Sequence, residues 1–473
     1  MTAFETICAI ATGEGGAIGI IRISGPNSII YTSQIFRTKG KTPITDKPGM
    51  SISFGFIHDA NDNIIDEVLV SLFRAPHSYT GEDCIEISCH NSPYILQRVL
   101  ELLIEQGCRM AGPGEYTKRA FLNGKMDLSQ AESVADLIAS TSAAAHRLAI
   151  SQMKGQFSME LKLLRNQILH IASLMELELD FSDHEEIEFA DRTELMQLAV
   201  QIKERITQLT DSFQTGNAIK KGIPVAIIGK TNVGKSTLLN TLVGEDKAIV
   251  SNINGTTRDA IEDTMVLQGI LFRFIDTAGI RETNDQIEQL GILKTFEKIE
   301  QANIVLWLID ATQINDTLKT EYQQISSSVK NKKLLIVVNK SDLIHEDMAN
   351  AQQKYLNEYP YPIIYISAKE KQGIKELEQA IISLSQVSSH WDEGVIVSNL
   401  RHYEALCLAL KSIHRIIEGL STNIPTDFIT QDLRDCIYHL NDIIGEVTSS
   451  AIIQNIFKSF CMYYFVHCLW INS

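Results

Sequence analysis

The chain has 473 residues, enough for roughly two to four domains with sizeable cores. Its 44% apolar and 21% charged residues describe an ordinary globular protein, and no stretch reaches the ~20 apolar residues of a membrane span. The net charge of −16 argues against a protein that coats nucleic acid nonspecifically, although it leaves room for a local basic patch. The eight cysteines form no CxxC pair, so we expect reduced thiols in a cytoplasmic protein.

The first 118 residues predict a compact α+β domain. Three apolar runs, residues 17–23, 68–73 and 84–89, are typical of strands, and residues 93–104 have the pattern of a helix. Six of the ten prolines lie in the same region of the chain. We therefore expect short strands and a helix here rather than a helical bundle.

Two helical segments flank the middle of the chain in sequence. No proline separates Pro113 from Pro224, and the end of the chain is again poor in proline. One helix face is indicated by apolar residues at 3-4-3-4 spacing, namely Leu161, Leu164, Ile168, Ile171 and Met175. We expect residues 119–215 and 387–473 to pack together as one helical domain, with residues 216–386 inserted between them.

The inserted segment opens with the pattern of a phosphate-binding loop. Gly229-Lys-Thr-Asn-Val-Gly-Lys-Ser236 follows the apolar run 223–228 and precedes a helix-like stretch. The glycines let the backbone approach a triphosphate, and the helix N-terminus adds N–H groups and its positive dipole end. Lys235 is expected to reach the β- and γ-phosphates and Ser236 to ligate Mg²⁺. A chance glycine-rich turn is the alternative, which the order of strand, loop and helix disfavours.

Two later motifs have the chemistry to read a guanine base. Asn339-Lys-Ser-Asp342 follows the strand-like run 334–338, and the Asp342 carboxylate can accept from guanine N1–H and the exocyclic amine. Adenine has no such donor pair, so a site of this kind rejects ATP. Ser367-Ala-Lys369, after the run 363–366, supplies a further base-side loop. The order and spacing predict a Ras-like P-loop GTPase domain, in which a doubly wound sheet binds GTP at the strand carboxyl ends.

The hydrolytic side of the site departs from the Ras pattern. Asp276-Thr-Ala-Gly279 ends an apolar run, so that Asp276 can hold Mg²⁺ through water and Gly279 can offer its N–H to the γ-phosphate. The next residue is Ile280, where Ras-like switches carry a water-orienting Gln. The side chain of isoleucine cannot hydrogen-bond to water, so another group must position the nucleophile.

Asn232 and the loop 251–259 are the candidates for that role. Thr257 is expected to be the second hydroxyl ligand of Mg²⁺. Carbonyl groups of this loop, together with Asn232, can hold a monovalent cation where an arginine finger would otherwise lie. Arg258 as such a finger is the less favoured alternative.

Over essentially its whole length, the chain resembles the family of tRNA-modifying GTPases called MnmE or TrmE. The segments that carry the resemblance are residues 6–12, 19–26, 78–83, 113–132, 255–259 and 276–282. Among them, the block that begins Pro113-Gly-Glu-Tyr-Thr-Lys-Arg119 is very specific, whereas the GTPase motifs are shared by several families.

The resemblance implies a fold, a reaction and partners. The N-terminal domain would bind a tetrahydrofolate one-carbon donor (5-formyl- or methylene-tetrahydrofolate) and form a homodimer. With an FAD-dependent partner of the MnmG or GidA kind, the protein would build the (carboxymethyl)aminomethyl group on C5 of the wobble uridine, U34, of certain tRNAs. GTP hydrolysis would depend on Mg²⁺ and be activated by K⁺.

The resemblance also implies roles for individual residues. The K⁺ ligands would be Asn232, Ser251, Ile253 and Thr256, and the Mg²⁺ ligands Ser236 and Thr257. Glu288 would orient the water, and Arg22, Glu86 and Lys125 would contact the folate. The nucleotide contacts would come from Asn232, Val233, Gly234, Lys235, Ser236, Thr237, Ser251, Thr256, Thr257, Asp276, Thr277, Ala278, Gly279, Asn339, Lys340, Asp342, Ser367, Ala368 and Lys369.

The end of the chain departs from the family, which closes with Phe-Cys-Ile-Gly-Lys. Phe460 and Cys461 match, but Tyr464 stands where the family has a Lys that also touches the folate. Cys461 retains a possible catalytic role in modification, with a plain core thiol as the alternative.

A different class of function is a ribosome-assembly GTPase of the Era-like class that acts only by docking on RNA. Such proteins resemble the inserted domain. They would instead bring a basic RNA-binding domain, whereas this chain is acidic and has helices on both sides of the switch. The sequence therefore favours the tRNA-modifying enzyme.

Overall fold

A computed structural model describes residues 5–13, 15–180, 192–244, 263–275, 299–315, 317–330, 332–345, 348, 352, 355–385, 394–422 and 424–446. The backbone divides into two compact units. One contains the described residues up to Ala135 and those from Ile444 on, and the other contains those from Asp136 to Ile443.

The first unit is built on a mainly antiparallel sheet that has seven strands within the described residues. Its strands are β1 (Ile7–Ile10), β2 (Ile18–Ser24), β3 (Phe36–Thr38), β4 (Ser51–His58), β5 (Ile64–Phe73), β6 (Cys84–His90) and β7 (Arg109–Met110). They lie in the order β3-β4-β5-β6-β2-β1-β7, and only the β1–β7 pair is parallel among them. The helices are α1 (Ser28–Ile35), α2 (Pro93–Glu105) and α3 (Glu115–Leu122), and α4 (Leu128–Ile138) begins in this unit.

Side-chain alternation along these strands gives the sheet one buried face. On β6, Ile85 and Ile87 are fully buried in a cluster that also includes Val99 and Leu103 of α2. Glu86, between the two isoleucines, points to the opposite face, because successive side chains of a strand alternate. Polar residues of the central strands are thereby presented on the other side of the sheet.

The second unit contains a parallel sheet with one antiparallel edge strand. Its strands are β8 (Ile223–Ile228), β9 (Asp263–Leu267), β10 (Ile270–Phe274), β11 (Ile304–Asp310), β12 (Lys333–Asn339) and β13 (Ile363–Tyr365). They lie in the order β13-β12-β11-β8-β10-β9, with β9 antiparallel to β10. The preceding helices are α5 (Ala143–Met153), α6 (Gln156–Asp180) and α7 (Arg192–Lys221), and α8 (Lys235–Val243), α9 (Thr317–Val329) and α10 (Ile374–Ser385) lie within the sheet region of the chain.

Both faces of this sheet are covered, as its almost continuous apolar strands require. Val225 and Ile227 of β8 pack in one cluster with Leu238 of α8, whereas Ala226 belongs to a second cluster with Ile325 of α9. This is the predicted doubly wound arrangement, and it brings the carboxyl ends of β8, β11, β12 and β13 to one edge of the sheet.

The helices that flank this sheet in sequence pack together, as predicted. They are α7 on one side and α11 (Leu400–Thr422) on the other, and α12 (Thr426–Ile444) follows. The ring of Phe213 stacks on that of Tyr403 with 4.4 Å between centroids. A Cβ on Gly216 would lie 2.1 Å from the Val397 carbonyl oxygen, so glycine is required where α7 passes the segment before α11. We call α6, α7, α11 and α12 the helical layer. The chain leaves this layer after α7 and re-enters it before α11 at neighbouring points.

Most predicted elements lie within a few residues of the observed ones. Residues 223–228 were predicted as a strand and form β8, and the helix predicted over 93–104 is α2. The fold class is confirmed for the α+β sheet, the helical layer and the doubly wound sheet; the exact domain boundaries remain predictions. Among the described helices, none is long and apolar enough to cross a membrane.

Candidate functional site

The predicted phosphate-binding loop, residues 229–236, lies at the carboxyl end of β8. Gly229 and Gly234 have φ of 147° and 95°, in the region that favours glycine, and Asn232 has φ of 62°, which asparagine tolerates better than most residues. A Cβ on Gly229 would lie 2.3 Å from the Leu308 carbonyl oxygen of the neighbouring strand β11. The loop therefore depends on both glycines.

Lys235 begins α8 and folds back over this loop. Its Nζ donates to the carbonyl oxygens of Gly229 at 2.7 Å and of Lys230 at 2.6 Å. The N-cap of α8 is Gly234, which has no side chain to satisfy the first N–H groups of the helix. A cation and a helix N-terminus thus lie together, which is the arrangement that binds phosphate oxygens.

Asn339, at the end of β12, connects the phosphate loop to the loop Ser367–Lys369. Its Nδ2 donates to the Val233 carbonyl at 2.8 Å, and its Oδ1 accepts from the Ala368 N–H at 3.0 Å. The side chain is almost fully buried, with 3% exposure. A Cβ on Gly234 would lie 2.3 Å from this Nδ2, so the glycine and the asparagine fit only as a pair. One amide therefore fixes the spacing of three separate motifs.

Ala368 is held from a second side. Its carbonyl oxygen accepts from Thr241 Oγ1 of α8 at 3.0 Å, and Ala368 itself is buried. Lys369, the next residue, has an 85% exposed side chain. Ser367 is fully buried, and its backbone forms a reciprocal pair of hydrogen bonds with Gln372. The Ser367–Lys369 loop is therefore rigid at its first two residues and open at its third.

Asp342 lies on a short 3₁₀ turn, Ser341–Leu343, and its carboxylate is exposed. The Ser341 N–H donates to the Ile366 carbonyl at 3.0 Å, which ties this turn to the end of β13. No described residue pairs with the Asp342 side chain. The carboxylate is thus available to a ligand at the edge of the sheet where Ala368 also lies.

The sequence interpretation missed Asp310, which pairs with Lys340. Asp310 ends β11 and is 3% exposed, and its Oδ2 accepts from Lys340 Nζ at 2.6 Å. Its Oδ1 accepts from the Thr312 N–H and hydroxyl at 2.9 and 2.7 Å. Burial alone would raise the pKa of Asp310, but the bonds from Lys340 and Thr312 outweigh it and lower that pKa. An Asp at the end of a buried strand was the available signal.

The predicted metal ligands are described only in part. Ser236 lies half-buried in the first turn of α8, and Asn232 is exposed in the loop before it. The other predicted ligands and hydrolytic residues lie outside the described residues, namely Ser251, Ile253, Thr256, Thr257, Asp276, Thr277, Ala278, Gly279 and Glu288. Cys461 lies outside them as well.

In the first unit, Arg22 and Glu86 form a pair on the open face of the sheet. They face each other across β2 and β6, and Glu86 Oε1 contacts Arg22 Nε at 2.8 Å and Nη2 at 2.7 Å. The guanidinium lies over the rings of Tyr79 and Tyr116, with its carbon 5.4 and 5.6 Å from their centroids. Burial would lower the pKa of Arg22, but Glu86 more than compensates and raises it. Arg22 therefore stays charged in an aromatic surrounding.

Lys125, the third predicted folate contact, lies against the loop that carries Tyr79. Its Nζ donates to the Pro76 carbonyl at 3.0 Å, and its side chain passes Gly81. The structure thus brings Arg22 and Glu86 into direct contact and places Lys125 on the adjoining loop. The two tyrosines were missed, because nothing in their spacing distinguishes them from core aromatics.

A network of charges, centred on the buried Arg119, anchors α3. Arg119 is 2% exposed and contacts Glu82 at 3.0 Å and Glu115 at 2.9 Å, and Arg109 also contacts Glu115, at 2.7 Å. Burial would raise the pKa of Glu115, but hydrogen bonds from Arg109, the Gly112 N–H and Arg119 lower it to about 2. The same helix carries Tyr116, whose hydroxyl donates to the Arg22 carbonyl at 2.6 Å.

Comparison with known proteins assigns the chain to one family. A model of the GTP-binding protein TrmE N-terminus matches residues 6–125, and a model of the MnmE helical domain matches residues 128–461. A tRNA modification GTPase MnmE from Bacteroides thetaiotaomicron is 56% identical over 462 residues, which is 97% of this chain and 99% of the relative. The chain belongs to the MnmE family.

A relative that is more distant in sequence agrees with this membership. A tRNA modification GTPase MnmE from Flavobacterium psychrophilum is 48% identical over 462 residues, again 97% of this chain and 99% of the relative. Among solved structures, Era from Aquifex aeolicus bound to GDP and aluminium fluoride is 28% identical. The match covers 40% of this chain and 66% of the Era chain, with a TM-score of 0.28. The family resemblance seen in the sequence is thus confirmed by the MnmE relatives.

Proposed function

We propose that this protein hydrolyses GTP in the modification of tRNA. One observation carries the nucleotide site: the buried Asn339 amide, which holds the phosphate loop at Val233 and the base-side loop at Ala368. Membership of the family of tRNA modification GTPases supports the reaction and the tRNA substrate. The Era-like alternative is less favoured, because the family models together match the chain from residue 6 to residue 461.

The described residues support a particular set of contacts with the phosphates and the base of GTP. Lys235 already points its ammonium across the phosphate loop, where it can hold the β- and γ-phosphates. The exposed carboxylate of Asp342 can accept from guanine N1–H and the exocyclic amine. The backbone at Ala368, which is held by Asn339 and Thr241, forms the other side of the proposed base-binding site. Selectivity for guanine thus follows from the acceptors that the Asp342 carboxylate presents rather than from shape alone.

The donor set near the phosphates fits the predicted ions. Ser236 offers a hydroxyl for Mg²⁺, and Asn232 offers a side-chain oxygen for K⁺. When bound, these cations neutralise the charge that develops on the phosphates during transfer. We propose that Ser251, Ile253, Thr256 and Thr257 complete the two sets and that Asp276–Gly279 and Glu288 act on the γ-phosphate and the attacking water.

We further propose that the open face of the first sheet binds a tetrahydrofolate one-carbon donor. Arg22 contacts Glu86 at Oε1, and the other oxygen of the carboxylate, Oε2, can accept from a donor such as the amino group of a pterin. The rings of Tyr79 and Tyr116 offer stacking surfaces beside a fixed positive charge. Lys125 on the adjoining loop adds a second cation. This is a fitting environment for a flat, polar ring with an anionic tail.

The remaining parts of the proposal rest on the family. They are the (carboxymethyl)aminomethyl group at C5 of U34, an FAD-dependent MnmG-like partner, a homodimer formed through the N-terminal domain, a cytoplasmic location and a role of Cys461 in modification. The deciding experiment is nucleoside analysis of tRNA from cells that lack this protein. We expect the modified wobble uridine to disappear and to return when the gene is restored. An unchanged nucleoside profile would refute the tRNA role, and GTP-dependent co-sedimentation with ribosomal subunits would favour the Era-like alternative.

The cation can be tested on the purified protein. We expect GTP hydrolysis to be about tenfold or more faster in K⁺ than in Na⁺ at equal ionic strength. Asn232→Gly removes the side-chain oxygen and keeps the φ of 62°, so it should abolish the difference between the salts without straining the loop. Asp62→Gly, at a φ of 66° in the other unit, is the matched control and should leave the difference intact. Equal wild-type rates in the two salts would remove the cation site.

A further inference from the structure

Asp310 and the 3₁₀ turn that carries Asp342 lie next to each other at the edge of the second sheet. Asp310 ends β11 and is in register with Asn339, which ends β12. Its carboxylate is nearly inaccessible, with one oxygen taken by Thr312 and the other by Lys340. The buried carboxylate of Asp310, bonded through both oxygens, thus contacts Lys340, the residue that follows Asn339.

Lys340 is in a backbone conformation that requires support. Its φ of 63° lies in the left-handed region, which costs a non-glycine residue about 1–2 kcal/mol. The residue serves as the N-cap of the 3₁₀ turn Ser341–Leu343, on which Asp342 lies. The direction of the Lys340 backbone therefore sets where the Asp342 carboxylate is presented.

We propose that Asp310 is a positioning residue for guanine specificity, which holds Lys340 in the left-handed conformation so that Asp342 meets the base at the correct angle. The inference rests on the proposed GTP function and goes beyond it. Asp310 does not touch the nucleotide in this scheme. It acts through the Lys340 ammonium, and its contribution appears in how well the site distinguishes bases.

A competing explanation assigns the turn to backbone hydrogen bonds alone. The Ser341 N–H donates to the Ile366 carbonyl at 3.0 Å, and the Leu343 N–H donates to the Lys340 carbonyl at 3.1 Å. If these bonds suffice, removal of the Asp310 charge leaves base recognition unchanged. The two explanations thus differ in a measurable quantity.

The experiment compares GDP with inosine diphosphate on the full chain. Inosine lacks the exocyclic amine of guanine and keeps N1–H, so the ratio of the two dissociation constants reports the contact between the amine and Asp342. Asp310→Asn keeps the size of the side chain and removes its charge. We expect the preference for GDP over inosine diphosphate to fall about three- to tenfold. A change that merely loosens the phosphate loop would weaken both ligands equally and leave the ratio unchanged.

A double-mutant cycle with Lys340→Met tests the route of the effect. If Asp310 acts through Lys340, then Asp310→Asn produces no further change in the ratio when Lys340 is already replaced. Independent, multiplicative effects would overturn the proposal, and so would an unchanged ratio in a folded Asp310→Asn variant.

Further variants keep the test decisive. Thr312→Val removes one support of Asp310 and leaves the bond to Lys340, so it should lower the ratio in the same direction by a smaller factor. Should Asp310→Asn fail to fold, an unchanged ratio in Thr312→Val would overturn the proposal by itself. Asp432→Asn, which breaks an ion pair with Arg415 in the helical layer, is the matched control and should change nothing. Failure of the wild type to bind GDP would instead refute the proposed function.

Discussion

The nucleotide loops and the Arg22–Glu86 pair hold their polar groups in different ways. At the nucleotide loops, a single buried amide, Asn339, bonds to the backbone of two other loops. At the pair, two side chains meet across neighbouring strands and are each about a quarter exposed, 28% for Arg22 and 25% for Glu86. The first arrangement depends on backbone conformation and the second on strand register.

This difference determines how each region tolerates change. A backbone-built site is sensitive to any added atom in its loops, because the partners are carbonyl and N–H groups that cannot move aside. A side-chain pair on an open sheet face can lose one member without disturbing the strands. Substitutions in the two regions should therefore differ in size and in the property that they alter.

The largest effect is expected for Gly234→Ala. The new Cβ would lie 2.3 Å from Asn339 Nδ2, at a φ of 95° that alanine rarely adopts. Displacement of Asn339 breaks two buried hydrogen bonds at about 1–1.5 kcal/mol each, and the backbone strain adds about 1–2 kcal/mol. We expect GDP affinity to fall about a thousandfold, measured by fluorescence titration with a labelled nucleotide.

The matched control for this prediction is Gly394→Ala. A Cβ on Gly394 would meet no atom within 4 Å, and its φ is not in the left-handed region. This variant should bind GDP like the wild type. If Gly234→Ala also bound GDP normally, the close fit between Gly234 and Asn339 would not be what holds the loops.

The same difference explains how much of the molecule could be predicted from sequence. The nucleotide loops are contiguous motifs, so Lys235, Asn339 and Asp342 could be predicted from residue order alone, and their contacts with a nucleotide stay predictions. The strand β8 was predicted with its observed bounds, because a buried parallel strand is an unbroken apolar run. Local chemistry and local pattern were sufficient in this region.

The register between distant strands could not be predicted in the same way. Asp310 meets Lys340 because β11 and β12 pair with Asp310 opposite Asn339, and no pattern in the sequence specifies that alignment. Tyr79 and Tyr116 reach Arg22 from two different parts of the chain. Arg22 and Glu86 were predicted as folate contacts from the family resemblance, and that role stays a prediction; the structure adds that the two side chains contact each other.

A smaller effect, on stability, is expected for Glu115→Gln in the network of charges that anchors α3. The pKa of Glu115 falls from 4.5 to about 2 in the folded chain, which stabilises the fold by about 3 kcal/mol at most. Because the folded pKa is depressed, this stabilisation is complete above pH 4.5 and is lost as the pH falls toward 2. The variant should therefore be less stable than the wild type at pH 7, by about 2–3 kcal/mol, and the two should converge in acid.

The measurement is urea unfolding of the full chain at several pH values. A short deuterium pulse, read by mass spectrometry of peptides from β2 and β6, reports this unit separately from the rest of the chain. Glu105→Gln, at a 52% exposed position, is the control and should shift the urea midpoint little at any pH. A difference between Glu115→Gln and wild type that stayed constant from pH 7 to pH 3 would show that charge is not its cause.

The smallest effect is expected for Arg22→Met, which replaces the guanidinium by an apolar chain of similar length. Affinity for 5-formyltetrahydrofolate, measured by calorimetry, should fall about tenfold, because one partly solvated charge-assisted contact is lost. GDP affinity should stay at the wild-type value. Arg37→Met, on β3 of the same sheet and 64% exposed, is the matched control and should leave folate affinity unchanged. Equal folate affinity in Arg22→Met and wild type would show that the folate does not bind at Arg22. Tyr79 and Tyr116 would then serve only to stabilise the charge of Arg22 on the open face of the sheet.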